Sequence, residues 1–209
     1  TLSLHDALPI LVFGEYFPYS QHPPELPATV RDGVDGRRAT VAIVGGGPTG
    51  LTLALDLANH GIASVVIEAD ATVCSGSRAG AFTRRTLEIM DQLGVADQIV
   101  ASGLGWNRGW TYFRDALVAE SRIPDSPDPR FPATLSQLQN LIEEHLVTRS
   151  AAFAPLIDIR WHSKVVGFEA GPDGARLRIE HPHGSYDMQA DWVVACDGGR
   201  STIRQSMDL

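Results

Sequence analysis

Residues 41–70 read VAIVGGGPTGLTLALDLANHGIASVVIEAD. Three consecutive glycines follow directly on an apolar run, and an acid closes the next one. Thr40 to Val44 is short and continuously apolar, the pattern of a strand buried on both faces of a parallel sheet. Leu51, Ala54, Leu55 and Ala58 recur at helical spacing, and Gly61 ends that pattern. Ser64 to Ile67 is a second buried strand. Strand, helix and strand make a βαβ unit, whose two strands must run parallel.

Gly45, Gly47 and Gly50 form G-x-G-x-x-G where a strand turns into a helix. The first glycine permits the tight turn, the second lets backbone approach a pyrophosphate, and the third lets helix and strand pack closely. Peptide N–H groups at the helix start, backed by the helix dipole, then face the phosphates. Pro48 fits the first helical turn, where its missing N–H is no loss. Thr49 shares that turn and joins the candidate cofactor-binding residues. Glu68 lies 18 residues beyond Gly50, at the end of the second strand. A carboxylate there accepts hydrogen bonds from ribose hydroxyls and repels a 2′-phosphate, so this site favours FAD or NAD over NADP.

Outward from this unit, Thr83 to Leu93 and Gln137 to Arg149 carry helical periodicity, and Trp110 to Ala119 reads as a strand or hairpin. Beyond Ile157 the pattern is β. KVVGFEA, ARLRIEH and SYDMQA are separated by the turns GPDG and PHG, an antiparallel meander that leads into DWVVACDGG, a further buried parallel-type strand. Trp106, Trp110, Tyr112 and Phe113 fit either an aromatic pocket or the core of a sheet, and the core is the simpler expectation.

With 17 Lys and Arg against 25 Asp and Glu, the net charge of −8 makes phosphate backbones and anionic lipid poor partners. The two cysteines, Cys74 and Cys196, are too few for a disulfide framework and are not spaced C-x-x-C, which points to a reducing cytoplasm and away from disulfide reductases. No apolar run reaches the roughly 18 residues a membrane span needs. His181 and His183 flank a proline without a third ligand at metal-binding spacing, so no metal site is assigned. Thr1 to Ile10 reads as one translated frame of a sequencing adapter and is set aside from the fold, as a tag would be. Residues 11–38, rich in Pro and Gly without period, read as a disordered leader, so that 1–38 stands apart and the domain spans 39–209.

Three further segments carry a resemblance. GSRAGAFTRRTLEIMDQLG (76–94), PATLSQLQNLIEEHLVTR (132–149) and WVVACDGGRSTIR (192–204) stand in the order found in the flavin-dependent aromatic hydroxylases. The chain resembles these single-component FAD monooxygenases over about residues 40–204, most of all the 3-(3-hydroxyphenyl)propionate hydroxylase group. The resemblance implies an α/β, Rossmann-like FAD-binding domain with a parallel sheet plus an antiparallel β-meander. Of the substrate domain only the strands near 106–135 belong to it, the rest being largely missing. It also implies that Arg78 lies against FAD, that Gln139 contacts the flavin, with Gln137 a nearby competitor, and that Asp197, Gly198, Arg200, Ser201 and Arg204 belong to an Asp-Gly motif serving FAD and, indirectly, NADH or NADPH. Alone, Asp197 reads equally well as a helix N-cap.

The activity so implied is hydroxylation of a phenolic ring with O2 through a flavin C4a-hydroperoxide, without a catalytic side chain on this chain. A non-catalytic FAD-binding fragment and an NAD-dependent Rossmann dehydrogenase are the alternatives.

Overall fold

The computed structural model describes residues 19–76, 80–124 and 130–209. Two short strands, β1 (Val30–Arg31) and β2 (Val34–Asp35), form a hairpin whose turn residues Asp32 and Gly33 take positive φ. Next come β3 (Ala39–Val44), buried everywhere except Thr40, α1 (Pro48–Asn59) and β4 (Ser64–Ile67), buried throughout. The buried face of α1 includes Leu51, Ala54, Leu55 and Ala58, the set its periodicity predicts.

The chain continues through β5 (Ala81–Thr83), α2 (Arg84–Gln92), α3 (Ala96–Ala101), β6 (Leu104–Trp106), β7 (Arg108–Phe113), β8 (Ala116–Arg122), β9 (Thr134–Ser136) and α4 (Gln139–Ser150). Thr83 caps α2 by accepting from the Thr86 amide. Last are β10 (Ile157–Arg160), β11 (Lys164–Gly171), β12 (Gly174–Glu180), β13 (Tyr186–Ala195) and α5 (Thr202–Ser206).

The main sheet runs β1-β2-β13-β3-β4-β10, with β12 joining β13 and β11 joining β12. β3, β4 and β10 are parallel in register, Val41 and Ile157 both opposite Ser64. Two apolar layers flank this sheet. Ile43, Leu51, Leu55, Leu87 and Leu146 pack on the face covered by helices. Ala42, Val65, Leu177, Ile179 and Ile203 fill the other, under the meander and α5. Each fully buried leucine or isoleucine contributes about 2 kcal/mol through water exclusion.

Three expectations change. Residues 30–35, read as leader, are part of the sheet. Asp35 is buried there, and its carboxylate receives Arg160 of β10 at 2.6 Å, an ion pair whose side chains are both almost wholly enclosed. Composition hid this because Pro and Gly set the turns while only a few residues make the contact. The two strands expected over 185–190 and from Asp191 onward are one, β13. Its first half is antiparallel to β12 and its second half parallel to β3, Trp192 opposite Val41. Trp192 is 70% exposed, so this half is not the doubly buried strand its composition suggests.

Nor do the aromatics of 106–113 form a core. β7 and β8 pair only with each other, leaving Trp110, Tyr112 and Phe113 more than half exposed. Among the described residues no helix is long and apolar enough to cross a membrane. Residues 1–18 lie outside the described residues.

Candidate functional site

β3, β4 and β13 all end at one cleft. The chain leaves β3 through α1 toward β4 on one side, while β13 flanks β3 on the other. A sheet that winds both ways from one strand opens a crevice beyond the strand ends. The cleft has a volume of about 380 Å³ and is bounded by Gly45–Thr49, Glu68, Gln139, Glu143, Cys196 and Asp197, among others.

The glycines differ in what requires them. Gly45 has φ +104°, and a Cβ there would sit 2.5 Å from the Cys196 carbonyl oxygen. A Cβ on Gly50 would collide with the Gly45 carbonyl. Both are demanded by backbone packing. Gly47 is not: it has φ −74° and ψ −174°, open to any residue, and its Cβ would meet nothing nearer than Glu143 Oε1 at 3.9 Å. Its bare surface faces the cleft. It also starts α1 without a side-chain cap and with no acid in the first turn, so a helix N-terminus points into the cleft without a carboxylate of its own. Pro48 and Thr49 line the wall beside it.

Glu68 spans from the end of β4 to the glycine turn. Its Oε2 accepts from the Gly46 amide at 2.5 Å and its Oε1 from the Asp70 amide at 2.9 Å. Burial pushes its pKa up, against the lowering effect of those backbone donors. A ligand hydroxyl held by ionised Glu68 is therefore released as the pH falls, starting above the ordinary glutamate value of about 4.3. Affinity for FAD measured from pH 8 to 4 is expected to drop on the acid side, and Glu68→Gln to flatten that step. An identical profile in the variant would exclude Glu68.

Gln139 opens α4, and its Nε2 donates to Glu143 Oε1 at 2.8 Å. The other oxygen of Glu143 accepts from the Cys74 amide at 2.7 Å. Glu143 is 1% exposed and holds both the glutamine and the 69–76 loop against the cleft. The Gln-x-x-x-Glu spacing contained this residue, but only a folded loop reveals its second partner. Gln137 points elsewhere, donating to Ser102 Oγ at 2.7 Å.

Asp197 follows β13. Its Oδ2 accepts from the Thr202 and Ile203 amides at the start of α5, whose N-cap is Ser201, while Oδ1 is buried without a hydrogen-bond partner in the chain. One carboxylate thus satisfies two amides in the first turn of α5 and keeps its other oxygen unpaired in the wall of the cleft. Gly198, with φ +75°, carries the chain onward. Arg78 lies outside the described residues. Arg200 of the Asp-Gly motif and Lys164, which the sequence did not single out, supply positive charge at the cleft. Burial pushes the Cys196 thiol pKa up, keeping it neutral and poorly nucleophilic. Among the described residues no group of three His, Cys, Asp or Glu side chains is placed to hold a metal.

The cleft therefore offers a bare helix N-terminus, a glycine cradle and inward-facing carboxylates. These fit a dinucleotide, whose phosphates suit the helix end and whose hydroxyls suit Glu68 and the orphaned Asp197 oxygen.

Comparison with known proteins agrees. Residues 38–209 match the model of a family described as FAD binding domain. The chain is similar to a flavin-dependent monooxygenase of Mycobacteroides abscessus, 32% identical over 178 residues, covering 81% of this chain and 37% of that protein. It is similar to a 3-(3-hydroxy-phenyl)propionate/3-hydroxycinnamic acid hydroxylase of Mycobacterium sp. strain JLS, 31% identical over 187 residues, covering 88% of this chain and 31% of that one. The crystal structure of p-nitrophenol 4-monooxygenase from Pseudomonas putida DLL-E4 superimposes with a TM-score of 0.73 at 29% identity, over 81% of this chain and 43% of that chain. The chain thus spans between about a third and two fifths of the length of these relatives.

Proposed function

The chain belongs to the FAD binding domain family, and from that premise we propose that it is the FAD-holding part of an NADH- or NADPH-dependent monooxygenase that hydroxylates a phenolic ring. The observation that carries this reading is Gly47. Nothing in the protein requires glycine there, so its bareness is explained by a ligand lying against it. The orphaned Asp197 oxygen supports the same reading independently.

In this proposal the Gly45–Gly50 amides and the start of α1 hold the diphosphate. Glu68 accepts from the ribose hydroxyls, and the free oxygen of Asp197 accepts from a cofactor hydroxyl, with Gly198 allowing the turn beside it. Gln139, oriented by Glu143, faces the flavin. Arg78 is assigned to the diphosphate as a counter-charge, a role in which a guanidinium forks onto two oxygens. Bound FAD, once reduced by NADH or NADPH, supplies activation of O2 for transfer of one oxygen atom to the ring. The protein's own groups bind, orient and exclude water, and none on this chain is assigned as acid, base or nucleophile. Residues 39–209, with the β1–β2 hairpin that completes their sheet, form the FAD-binding domain, and the strands near 106–135 begin the substrate-binding part, a division supported by the exposed apolar faces of β7 and β8. Relatives named as a hydroxylase of 3-(3-hydroxy-phenyl)propionate and as a monooxygenase of p-nitrophenol support a phenolic substrate.

The test is reconstitution. The purified, folded chain should take up one equivalent of FAD with the shifted absorption bands of a protein-bound flavin, and a chain that stays colourless would sink the reading. NAD(P)H oxidation stimulated by a phenol distinguishes a working monooxygenase from a fragment that only binds. Affinity for NAD without affinity for FAD would favour a dehydrogenase instead.

A further inference from the structure

The wall of the cleft after Glu68 is a loop without helix or strand, of which Asp70, Thr72, Val73 and Cys74 face inward. Such a loop loses conformational freedom when a ligand orders it, and anchors that fix it beforehand reduce that loss. From inside the domain the anchors are Glu68, Glu143 and the His162 amide, which donates to the Asp70 carbonyl at 3.0 Å.

Two more come from a segment that precedes the whole βαβ unit. The His22 amide donates to the Ala71 carbonyl at 2.9 Å, and the Gly76 amide donates to the Tyr19 hydroxyl at 2.9 Å. His22 is itself held on both sides. Its ring stacks on Trp161 with centroids 4.1 Å apart and planes within 2°, and its carbonyl accepts from His162 Nε2 at 2.7 Å. Trp161 and His162 directly follow β10, so the segment is tied to the rigid sheet and passes that rigidity to the loop.

We propose that Tyr19 and His22 are positioning residues of the cofactor site: the segment bearing them straps the 69–76 loop into the shape that receives the adenosine half of FAD. The inference rests on the FAD reading above, in which Glu68, the residue immediately before this loop, meets the ribose. It extends the site to residues that read as leader and lie outside any nucleotide motif.

The test uses the full chain loaded with FAD, as wild type, His22→Ala and Tyr19→Phe. Release of FAD on dilution is followed by recovery of flavin fluorescence, and ADP affinity is measured by calorimetry. His22→Ala loses the stack that seats the strap, and its FAD is expected to leave about tenfold faster. Tyr19→Phe removes one hydroxyl, and a rise of about threefold is expected. ADP affinity should fall by the same factors. Thermal unfolding of nucleotide-free Tyr19→Phe should match wild type, a result that general destabilisation would not give.

A wild type that holds FAD while both variants release it at the wild-type rate overturns the inference and leaves the FAD reading standing. Faster FAD release with unchanged ADP affinity also overturns it, because the loop would then not face adenosine. A folded wild type without affinity for FAD overturns both readings. Should His22→Ala fail to fold, Tyr19→Phe decides.

Discussion

Replacing Gly47 by aspartate is expected to abolish FAD binding while leaving the chain folded. The backbone at this position suits any residue, and the nearest atom to an added Cβ is 3.9 Å away. Aspartate is moreover a good N-cap, so the nucleotide-free variant should melt no lower than wild type, with a gain of a few tenths of a kcal/mol at the start of α1. Its carboxylate would occupy the ground assigned to the diphosphate. Two unit charges about 4 Å apart repel by roughly 4 kcal/mol at an effective dielectric constant of 20, which is about a thousandfold in affinity. Calorimetry with FAD, beside a melting curve of the free protein, separates loss of the ligand from loss of the fold. A variant that still purifies with one equivalent of flavin would move the site elsewhere.

The second large effect concerns stability. Asp35→Ala is expected to cost about 3–5 kcal/mol, because it leaves the Arg160 guanidinium enclosed with its closest partner gone. Asp158, 3.1 Å from Arg160 Nε and partly exposed, offsets only part of the loss. Denaturant melts of wild type and Asp35→Ala measure it, and a difference below about 1 kcal/mol would refute the assignment. The pair also sets an acid limit. Burial pushes the Asp35 pKa up, but hydrogen bonds from Thr29, the Arg37 amide and Arg160, with the charge of Arg160, more than reverse this, and the net shift is downward. A depressed carboxylate stabilises the fold fully above its unfolded value of about 3.9 and loses that contribution as the pH falls through the lower folded value. In Asp35→Ala the acid-unfolding profile should lose this component.

The βαβ unit was legible because its local signals agree. Apolar runs, helical periodicity and turn glycines over 41–70 describe the same elements as the structure, and Ser64–Ile67 matches to the residue. The sequence places Gln139, Asp197 and the glycines, and the fold brings them to one cleft. What escaped depends on contacts between distant residues. β10 contains Asp158 and Arg160, charges that mask a buried strand until Asp35, more than a hundred positions away, is seen to complete it. The double role of Glu143 needs the Cys74 amide, and the anchors at Tyr19 and His22 need Trp161. None of these leaves a periodic trace. The aromatics of β7 are the opposite case: composition suggested a core, but burial depends on a covering layer, and none of the described elements supplies it.

β13 pairs with β12 through its first half and with β3 through its second, and it ends two residues before Asp197. A strand's side chains alternate between faces, so a slip of one position against either neighbour would turn all of them over. The meander and the cleft consequently share a single alignment. An error in zipping Tyr186–Ala190 onto β12 would be transmitted along the same backbone, turning the Asp197 carboxylate away from the cleft and from the Thr202 and Ile203 amides. Maturation of the cleft is thereby made to wait on correct docking of a hairpin whose residues 174–190 are not among those that line it.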